Sequence, residues 1–209
     1  LVGRVNAAMS AAALTAFLFL KPAASAQSQP RTQTQSLAFV DSMTYDTATN
    51  LINTADIYYH HGDYHRVIGE ERVIAEMDPS YLESYSDGGW LMESLGDTKD
   101  AEAFYQLGVA RNPDKSFMAY QLGFFYFNTL HNYPKSTVVM KRCIKLADST
   151  DLDYKLLAHT YTRMKDYKDA LAMWKVIKQK FPNAQAVDHN LQEAQAAYDS
   201  STSGGKMTQ

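Results

Sequence analysis

The sequence predicts an all-α fold, an α-solenoid of about four helix-turn-helix repeats plus a C-terminal capping helix. The main observation is a stretch that recurs: residues 62–79 begin Gly-Asp-Tyr and end Asp-Pro, and residues 96–113 begin Gly-Asp-Thr and end Asn-Pro, 34 positions later. Glycine suits a tight turn between helices, and proline ends a unit because it cannot continue a helix. A helix pair of this length cannot bury its apolar face alone, so the units are expected to stack.

The composition is that of an ordinary folded chain, with 45% hydrophobic and 21% charged residues among 209. The single cysteine, Cys143, cannot form an intramolecular disulfide, so packing must stabilise the fold. We expect Cys143 to be a small core residue, with a reactive or interchain role as the alternative. The formal net charge of −3, without any run of Lys or Arg, offers little attraction for nucleic acid or anionic lipid. Neither is an expected partner.

Residues 1–26 have the order of a secretory signal peptide. Arg4 precedes an apolar run at 7–20, and Ala-Ser-Ala at 24–26 forms a small-residue cleavage site. The run is shorter than the roughly 20 residues that span a bilayer, so no stable membrane anchor is expected, with an uncleaved signal-anchor helix as the alternative. The polar stretch 27–36 is predicted to be a linker. The pattern indicates export, to a periplasm or outside the cell.

Two repeats are predicted before residue 116, and the apolar residues within 37–43 are expected to extend the first helix backward. The first, 48–81, has the small residue Ala55 and the aromatic residue Tyr58 ahead of its Gly-Asp turn. The second, 82–115, has a glycine pair at 88–89 at the position equivalent to Ala55. Small residues let two helices approach closely, while an aromatic ring fills the space between them. We expect close helix contact at the glycine pair, with the approach of a ligand backbone as the alternative.

Two further repeats and a cap follow. The repeat at 116–150 has a turn one residue longer than the others, and that residue is expected in the loop, with Pro134 in the first turn of the next helix. The repeat at 151–183 returns to the common register. Residues 184–198 carry one narrow apolar stripe and are predicted to form the capping helix, and 199–209 a disordered tail.

The four units resemble tetratricopeptide repeats (TPR), and the resemblance covers residues 48–183. The shared features are a small residue at the eighth position, often a second small residue at the twentieth, and a proline near the end of the unit. The residues that carry the likeness are Ala55, Gly89, Gly123 and Ala158 at the eighth position, Ala101 and Ala170 at the twentieth, and Pro79, Pro113 and Pro182 at the end. The resemblance implies a right-handed solenoid whose first helices line a concave face.

The resemblance also implies which side chains bind a partner. Laid out by register, the lining positions are acidic toward the N-terminal half, aromatic in the middle and basic at the C-terminal end. Aromatic side chains in a groove bury a large area with few rotatable bonds. The predicted partner-binding residues are Trp90, Glu93, Tyr120, Phe124, Phe127, Asn128, Lys155, His159 and Arg163.

Two details limit that assignment. Residues 124–127 are four consecutive aromatics, so at least one must face the core. Lys155, His159 and Arg163 follow at i, i+4 and i+8, so they share a helix face that either receives an anionic group or is merely solvated.

Some TPR proteins bind chaperone carboxylates through a Lys and Asn clamp. Here the corresponding places hold Ile52, Asp56 and Asp87, so that activity is not expected.

No catalytic, metal or cofactor role is expected. The chain has no nucleophile-elbow, phosphate-loop or metalloprotease motif. His60, His61 and His65 crowd the first turn, but a turn supplies no obvious tetrahedral ligand set for zinc. The expected function is an exported, non-catalytic scaffold that binds a peptide or protein in its groove. The alternatives are a carrier of a small molecule or glycan, or an enzyme accessory, using the same aromatic groove, and self-association through the solenoid ends.

Cleavage after Ala26 makes a direct prediction, because the protein recovered from its host should begin at Gln27 and carry a net charge of −5 after loss of Arg4 and Lys21. Intact-mass spectrometry checks this. A mature N-terminus far from Gln27 would contradict the assignment of a cleaved signal.

Overall fold

The computed structural model describes residues 33–203, with side chains from residue 36 onward. That part of the chain is all-helical. Its nine helices are α1 (Gln33–His60), α2 (Tyr64–Met77), α3 (Leu82–Ser94), α4 (Thr98–Arg111), α5 (Ser116–Asn128), α6 (Tyr133–Cys143), α7 (Asp151–Arg163), α8 (Tyr167–Lys180) and α9 (Val187–Ser203). The predicted signal peptide, most of the predicted linker and the last six residues of the predicted tail lie outside the described residues.

The chain divides into two compact units, Leu1–Ser42 and Met43–Gln209. In the first unit, the described residues 33–42 are helical and form the beginning of α1. The prediction that residues 33–36 belong to a linker is therefore wrong: they are Gln, Thr and Ser without Pro or Gly, and they start the helix. The predicted backward extension of the first helix through 37–43 is confirmed.

In the second unit, antiparallel helix pairs stack in chain order. The helices α3, α5 and α7 begin at the first residues of the predicted second, third and fourth repeats. Each of these helices contacts the second helix of its own pair, and α5 also contacts both α3 and α7. The all-α solenoid of helical repeats is thus the observed architecture.

Each turn within a pair contains one residue in the left-handed region of backbone space. Gly62 and Gly96 hold this position in the first two turns, at φ of 76° and 89°. His131 and Lys165 hold it in the third and fourth, at 49° and 61°. Glycine adopts this conformation without steric cost, so the last two turns carry a small strain that the first two lack.

The residue after each left-handed residue is an Asp or Asn at the N-cap, immediately before the next helix. The side chains of Asp63, Asn132 and Asp166 accept hydrogen bonds from backbone N–H groups of the helices they cap. Four residues, 129–132, separate the two helices of the third pair, where three separate the others. The extra residue therefore lies in the loop as predicted, and Pro134 lies in the first turn of α6.

The core follows the stack as three clusters of apolar side chains. The first cluster joins α1 through α5 around Tyr85 and Phe125, the second joins α5 through α8 around Met140 and Leu157, and the third joins α7 through α9 around Trp174. Cys143 is completely buried and its thiol contacts the Ser116 carbonyl oxygen, so the prediction of a core cysteine is confirmed.

Close helix contact explains the glycine pair. A Cβ atom at Gly88 would come within 2.7 Å of the Phe104 ring, and one at Gly89 within 2.6 Å of the Tyr105 ring. Two aromatic rings of α4 thus pack directly against the backbone of α3. The prediction of close packing at this pair is confirmed.

The capping helix is present and longer at its C-terminal end than predicted. Val187 and Ala194 of α9 are buried against the last pair, but the helix continues to Ser203. The prediction that residues 199–203 belong to a disordered tail is wrong. These polar residues continue the helix, and the hydroxyl groups of Ser201, Thr202 and Ser203 donate to carbonyl oxygens of the preceding turn, as Ser203 does to Asp199 at 2.8 Å.

Candidate functional site

The first helices of three consecutive pairs present their ninth residues in the same register. These are Trp90 on α3, Phe124 on α5 and His159 on α7. The two apolar side chains are 50% and 39% exposed, whereas their neighbours Leu91 and Phe125 are buried. Large apolar side chains that stay exposed while adjacent ones are buried indicate an interaction surface when they lie in a row.

A central pocket lies between α3 and α5. It has a volume of about 270 Å³ and is lined by Ser86, Asp87, Trp90, Glu93, Tyr105, Gln121, Phe124, Phe125 and Asn128. Four of the predicted partner-binding residues therefore meet here. Glu93 is already hydrogen-bonded within the protein, because its carboxylate accepts from the hydroxyl groups of Tyr105 and Thr129. Burial, followed by the Glu93 charge, raises the pKa of Tyr105.

A basic pocket lies between α5 and α7 and shares Phe124 with the central pocket. Its volume is about 530 Å³, and its lining is Tyr120, Phe124, Phe127, Leu152, Lys155, Leu156, His159, Thr162 and Arg163. The rings of Tyr120 and Phe124 stack nearly parallel with centroids 6.0 Å apart. Phe127 packs edge-on against Tyr133. All nine predicted site residues lie in the central and basic pockets, which together we call the binding groove.

The three basic residues of α7 differ in their electrostatic state. The Lys155 Nζ atom lies 2.7 Å from the Asp151 carboxylate, and this partly shielded ion pair neutralises its charge. Partial burial lowers the pKa of His159, and the charges of Arg163 and Lys155 lower it further. The imidazole is therefore mostly neutral at pH 7 and packs edge-on against Trp174. Arg163 is exposed and carries the full positive charge of this face.

The four consecutive aromatics at 124–127 divide between the core and the binding groove. Phe125 and Tyr126 are 1% and 3% exposed and belong to the core, while Phe124 and Phe127 line the groove. The expectation that at least one of the four faces the core is confirmed.

An acidic pocket, which the sequence reading did not identify, lies between α1, α2 and α3. It has a volume of about 380 Å³ and is lined by Ile52, Ala55, Asp56, Tyr59, Val67, Glu71, Tyr81, Asp87, Trp90 and Leu91. It shares Asp87 and Trp90 with the central pocket, so the three pockets adjoin one another along the first helices.

Glu71 is the unusual group of this pocket. Its side chain is in the protein interior with the residue only 8% exposed, and its Oε2 atom has no hydrogen-bond partner among the described residues. Burial raises the pKa of Glu71 to about 8, and the nearby carboxylates of Asp87 and Glu70 contribute to the rise. Burial likewise raises the pKa of Asp87, against the opposing effect of a hydrogen bond from Ser86.

The register supplies a signal that could have identified Glu71. It occupies the twenty-fourth position of its repeat, where the second and fourth repeats have the buried aromatics Tyr105 and Trp174 and the third has the buried Met140. A carboxylate thus replaces a large apolar group. The replacement leaves an opening between α1 and α3 and places an ionisable carboxyl group at its base.

Comparison with known proteins identifies the fold. No protein-family model and no curated protein matches the sequence. Solved structures match over most of the chain. The MamA protein is 18% identical, with a TM-score of 0.59 over 74% of this chain and 84% of that one. TTC0263, a thermophilic TPR protein of Thermus thermophilus, is 19% identical, with a TM-score of 0.53 over 68% of this chain and 78% of that one, and YrrB, a TPR protein with an unusual peptide-binding site, is 15% identical, with a TM-score of 0.55 over 78% and 84%. The chain has a TPR-like fold.

Two further findings concern the described residues alone. None of the described helices is both long enough and apolar enough to cross a bilayer. Within residues 33–203, no group of three or more His, Cys, Asp and Glu side chains is arranged to hold a metal ion. His60 of the histidine-rich first turn instead lies 3.5 Å from Asp56 in an exposed pair.

The raised pKa of Glu71 predicts a characteristic pH dependence of stability. Because the folded state holds a proton that the unfolded chain loses near pH 4.5, the free energy of unfolding should fall as pH rises from about 4.5 to about 8. Glu71→Gln removes this term, so its stability relative to the native protein should increase across that range by on the order of a few kcal/mol. Urea unfolding at pH 5 and pH 8.5 measures the difference.

The matched control is Glu193→Gln on α9, where the carboxylate is 66% exposed. Its stability should follow that of the native protein at both pH values. Parallel pH profiles for Glu71→Gln and the native protein would show that the Glu71 carboxyl titrates normally.

Proposed function

We propose that this protein is an exported, non-catalytic scaffold that binds a peptide or protein along the binding groove. The observation that carries the proposal is the row formed by Trp90, Phe124 and the stacked Tyr120, which are displayed at the register positions of consecutive first helices. Partly exposed aromatics in concave pockets are the side chains that contribute most to binding energy at protein interfaces.

The extended form of the groove favours a polypeptide ligand. Packed helices lie about 8–10 Å apart, so α3, α5 and α7 together span about 20 Å, the length of about six extended residues. Alternate side chains of an extended peptide point the same way, which suits pockets repeated along a surface. The likeness of fold to YrrB, which has a peptide-binding site, supports this kind of ligand.

The export part of the proposal is supported by the order of residues 1–26, in which a basic residue, an apolar run and a small-residue site follow one another. The single cysteine agrees with a stability that does not depend on disulfides in any compartment.

A carrier of a small molecule or glycan is the second candidate. The observation in its favour is the basic pocket, whose volume of about 530 Å³ is within the range of small-molecule sites and whose stacked Tyr120 and Phe124 offer a flat aromatic platform. This candidate predicts a ligand of low mass and no stable polypeptide partner.

The double variant Trp90→Ala, Phe124→Ala tests the groove. Loss of two aromatic anchors should weaken binding of the polypeptide partner by about 100-fold or more, because each such anchor contributes about 2 kcal/mol or more. The measurement is affinity capture from the host with identification of the partner, followed by titration calorimetry. Both side chains are well exposed, so the variant should keep its circular dichroism spectrum.

Val138→Ala with Val176→Ala is the matched control, since these exposed apolar residues lie on α6 and α8 outside the groove. It should retain the partner. A folded double variant at 90 and 124 that retains every partner would overturn the groove assignment, and capture of small molecules alone would favour the second candidate.

A further inference from the structure

The acidic pocket combines two kinds of group that rarely meet without a ligand. Its walls include the aromatic side chains of Tyr59 and Trp90, and its polar groups include the carboxylates of Asp56, Glu71 and Asp87. Burial of a carboxylate without a hydrogen-bonded partner is unfavourable, and the Glu71 Oε2 atom has none among the described residues. The pocket of the free protein therefore lacks a partner for the Glu71 carboxyl group.

The two arginines of α2 do not complete it. Arg66 pairs with Asp63 at 3.1 Å and lies over the Tyr58 ring. Burial raises the pKa of Glu70, and the positive charge of Arg66 opposes that rise. Arg72 pairs with Asp100 at 3.0 Å. Both guanidinium groups are thus used elsewhere. The groups that face Glu71 from the packed elements are the acids Asp56, Glu70 and Asp87 and the aromatics Tyr59, Tyr81 and Trp90.

We propose that the acidic pocket binds the guanidinium group of an arginine side chain belonging to the bound polypeptide. A guanidinium group stacks on aromatic faces, pairs with carboxylates through two parallel N–H groups, and is more weakly hydrated than an ammonium group. Trp90 and Tyr59 supply the aromatic faces, and Glu71 and Asp87 supply the acceptors. That the arginine belongs to a bound polypeptide rests on the proposed function. That the pocket accepts a guanidinium group does not.

Other ligand classes fit these groups less well. An anion would be repelled by the carboxylates, and a neutral ligand would not stabilise the ionised form of Glu71. A divalent metal ion requires more oxygen ligands, and the described residues contain no suitable group of three. The pocket also adjoins the central pocket through Trp90, so a peptide in the groove can place one side chain in it.

Binding of a guanidinium group should be coupled to loss of a proton. Below pH 8 Glu71 is mostly protonated in the free protein, and a cation favours the ionised form. The affinity for a permanently charged cation should therefore rise as pH increases from 6 to 8.5 and level off above the pKa. Asp56, Glu70 and Asp87 are also acids, so any proton that they lose as pH rises favours a bound cation in the same direction.

The experiment uses the full chain labelled with ¹⁵N and two small probes, N-acetyl-arginine amide and its neutral isostere N-acetyl-citrulline amide. Trp90 and Trp174 are the two tryptophans of the sequence. The indole N–H signal of Trp90 should shift saturably with the arginine probe, and that of Trp174, which is 2% exposed, should not move. The citrulline probe should leave both signals in place.

Glu71→Gln should weaken the arginine probe about tenfold or more and abolish the pH dependence of its binding. Glu193→Gln should change neither quantity. Equal binding of citrulline and arginine, an unchanged affinity of Glu71→Gln, or an affinity that does not rise with pH would each overturn the proposal. The comparison of the two probes and the pH series use the native protein, so they decide the matter even if Glu71→Gln does not fold.

These outcomes are separable from those of the groove test. A response to arginine without a response to citrulline supports the pocket even if no polypeptide partner is captured. Capture of a partner that depends on Trp90 and Phe124, together with no response to the arginine probe, would leave the groove intact and overturn the pocket alone.

Discussion

The structure depends on the burial of apolar surface between one helix pair and the next. Tyr85 of α3 illustrates it: the ring packs against Phe104 of its own pair, and the hydroxyl group donates toward the Ala75 and Pro79 carbonyl oxygens of the preceding pair. Arg111 binds the same region, with its guanidinium group on the Ala75 carbonyl oxygen and the Glu76 carboxylate. Each pair is thus completed by its neighbour, and α9 completes the last.

The same constraint produces the candidate binding surface. Because every first helix must turn its small and apolar positions toward the neighbouring helices, the ninth position is left outside the core in each repeat. Trp90, Phe124 and His159 are the result. The groove is therefore a by-product of regular stacking, and its chemistry changes along the array as the side chains at these positions change. The acidic pocket arises where the stacking is irregular, because Glu71 replaces the apolar residue that fills the other repeats.

The register of the repeats made the helix beginnings and the groove residues predictable. A period of 34, with one residue inserted in the third repeat, located the beginnings of α3, α5 and α7, and the same count brought all nine candidate residues to one groove. Features that depend on contacts between side chains were not predictable: Lys155 reads as a free cation until Asp151 is seen to neutralise it. Register marks the position of Glu71 as one that is buried in the other repeats, but it does not show that the Oε2 atom has no hydrogen-bond partner among the described residues. The ends of α1 and α9 were misjudged because polar sequences resemble linkers, although Gln, Ser and Thr residues without Pro or Gly can continue a helix, as they do at both ends.

The function proposed above requires that a polypeptide contacts the face of the first helices. Site-specific photo-crosslinking in the host tests it most directly, with p-benzoylphenylalanine in place of Phe124 on α5 and, separately, in place of Val138 on α6, which is 72% exposed. A polypeptide that occupies the binding groove should crosslink at position 124 and not at position 138. A crosslinked polypeptide at 138 alone, or equal crosslinking at both positions, would contradict it.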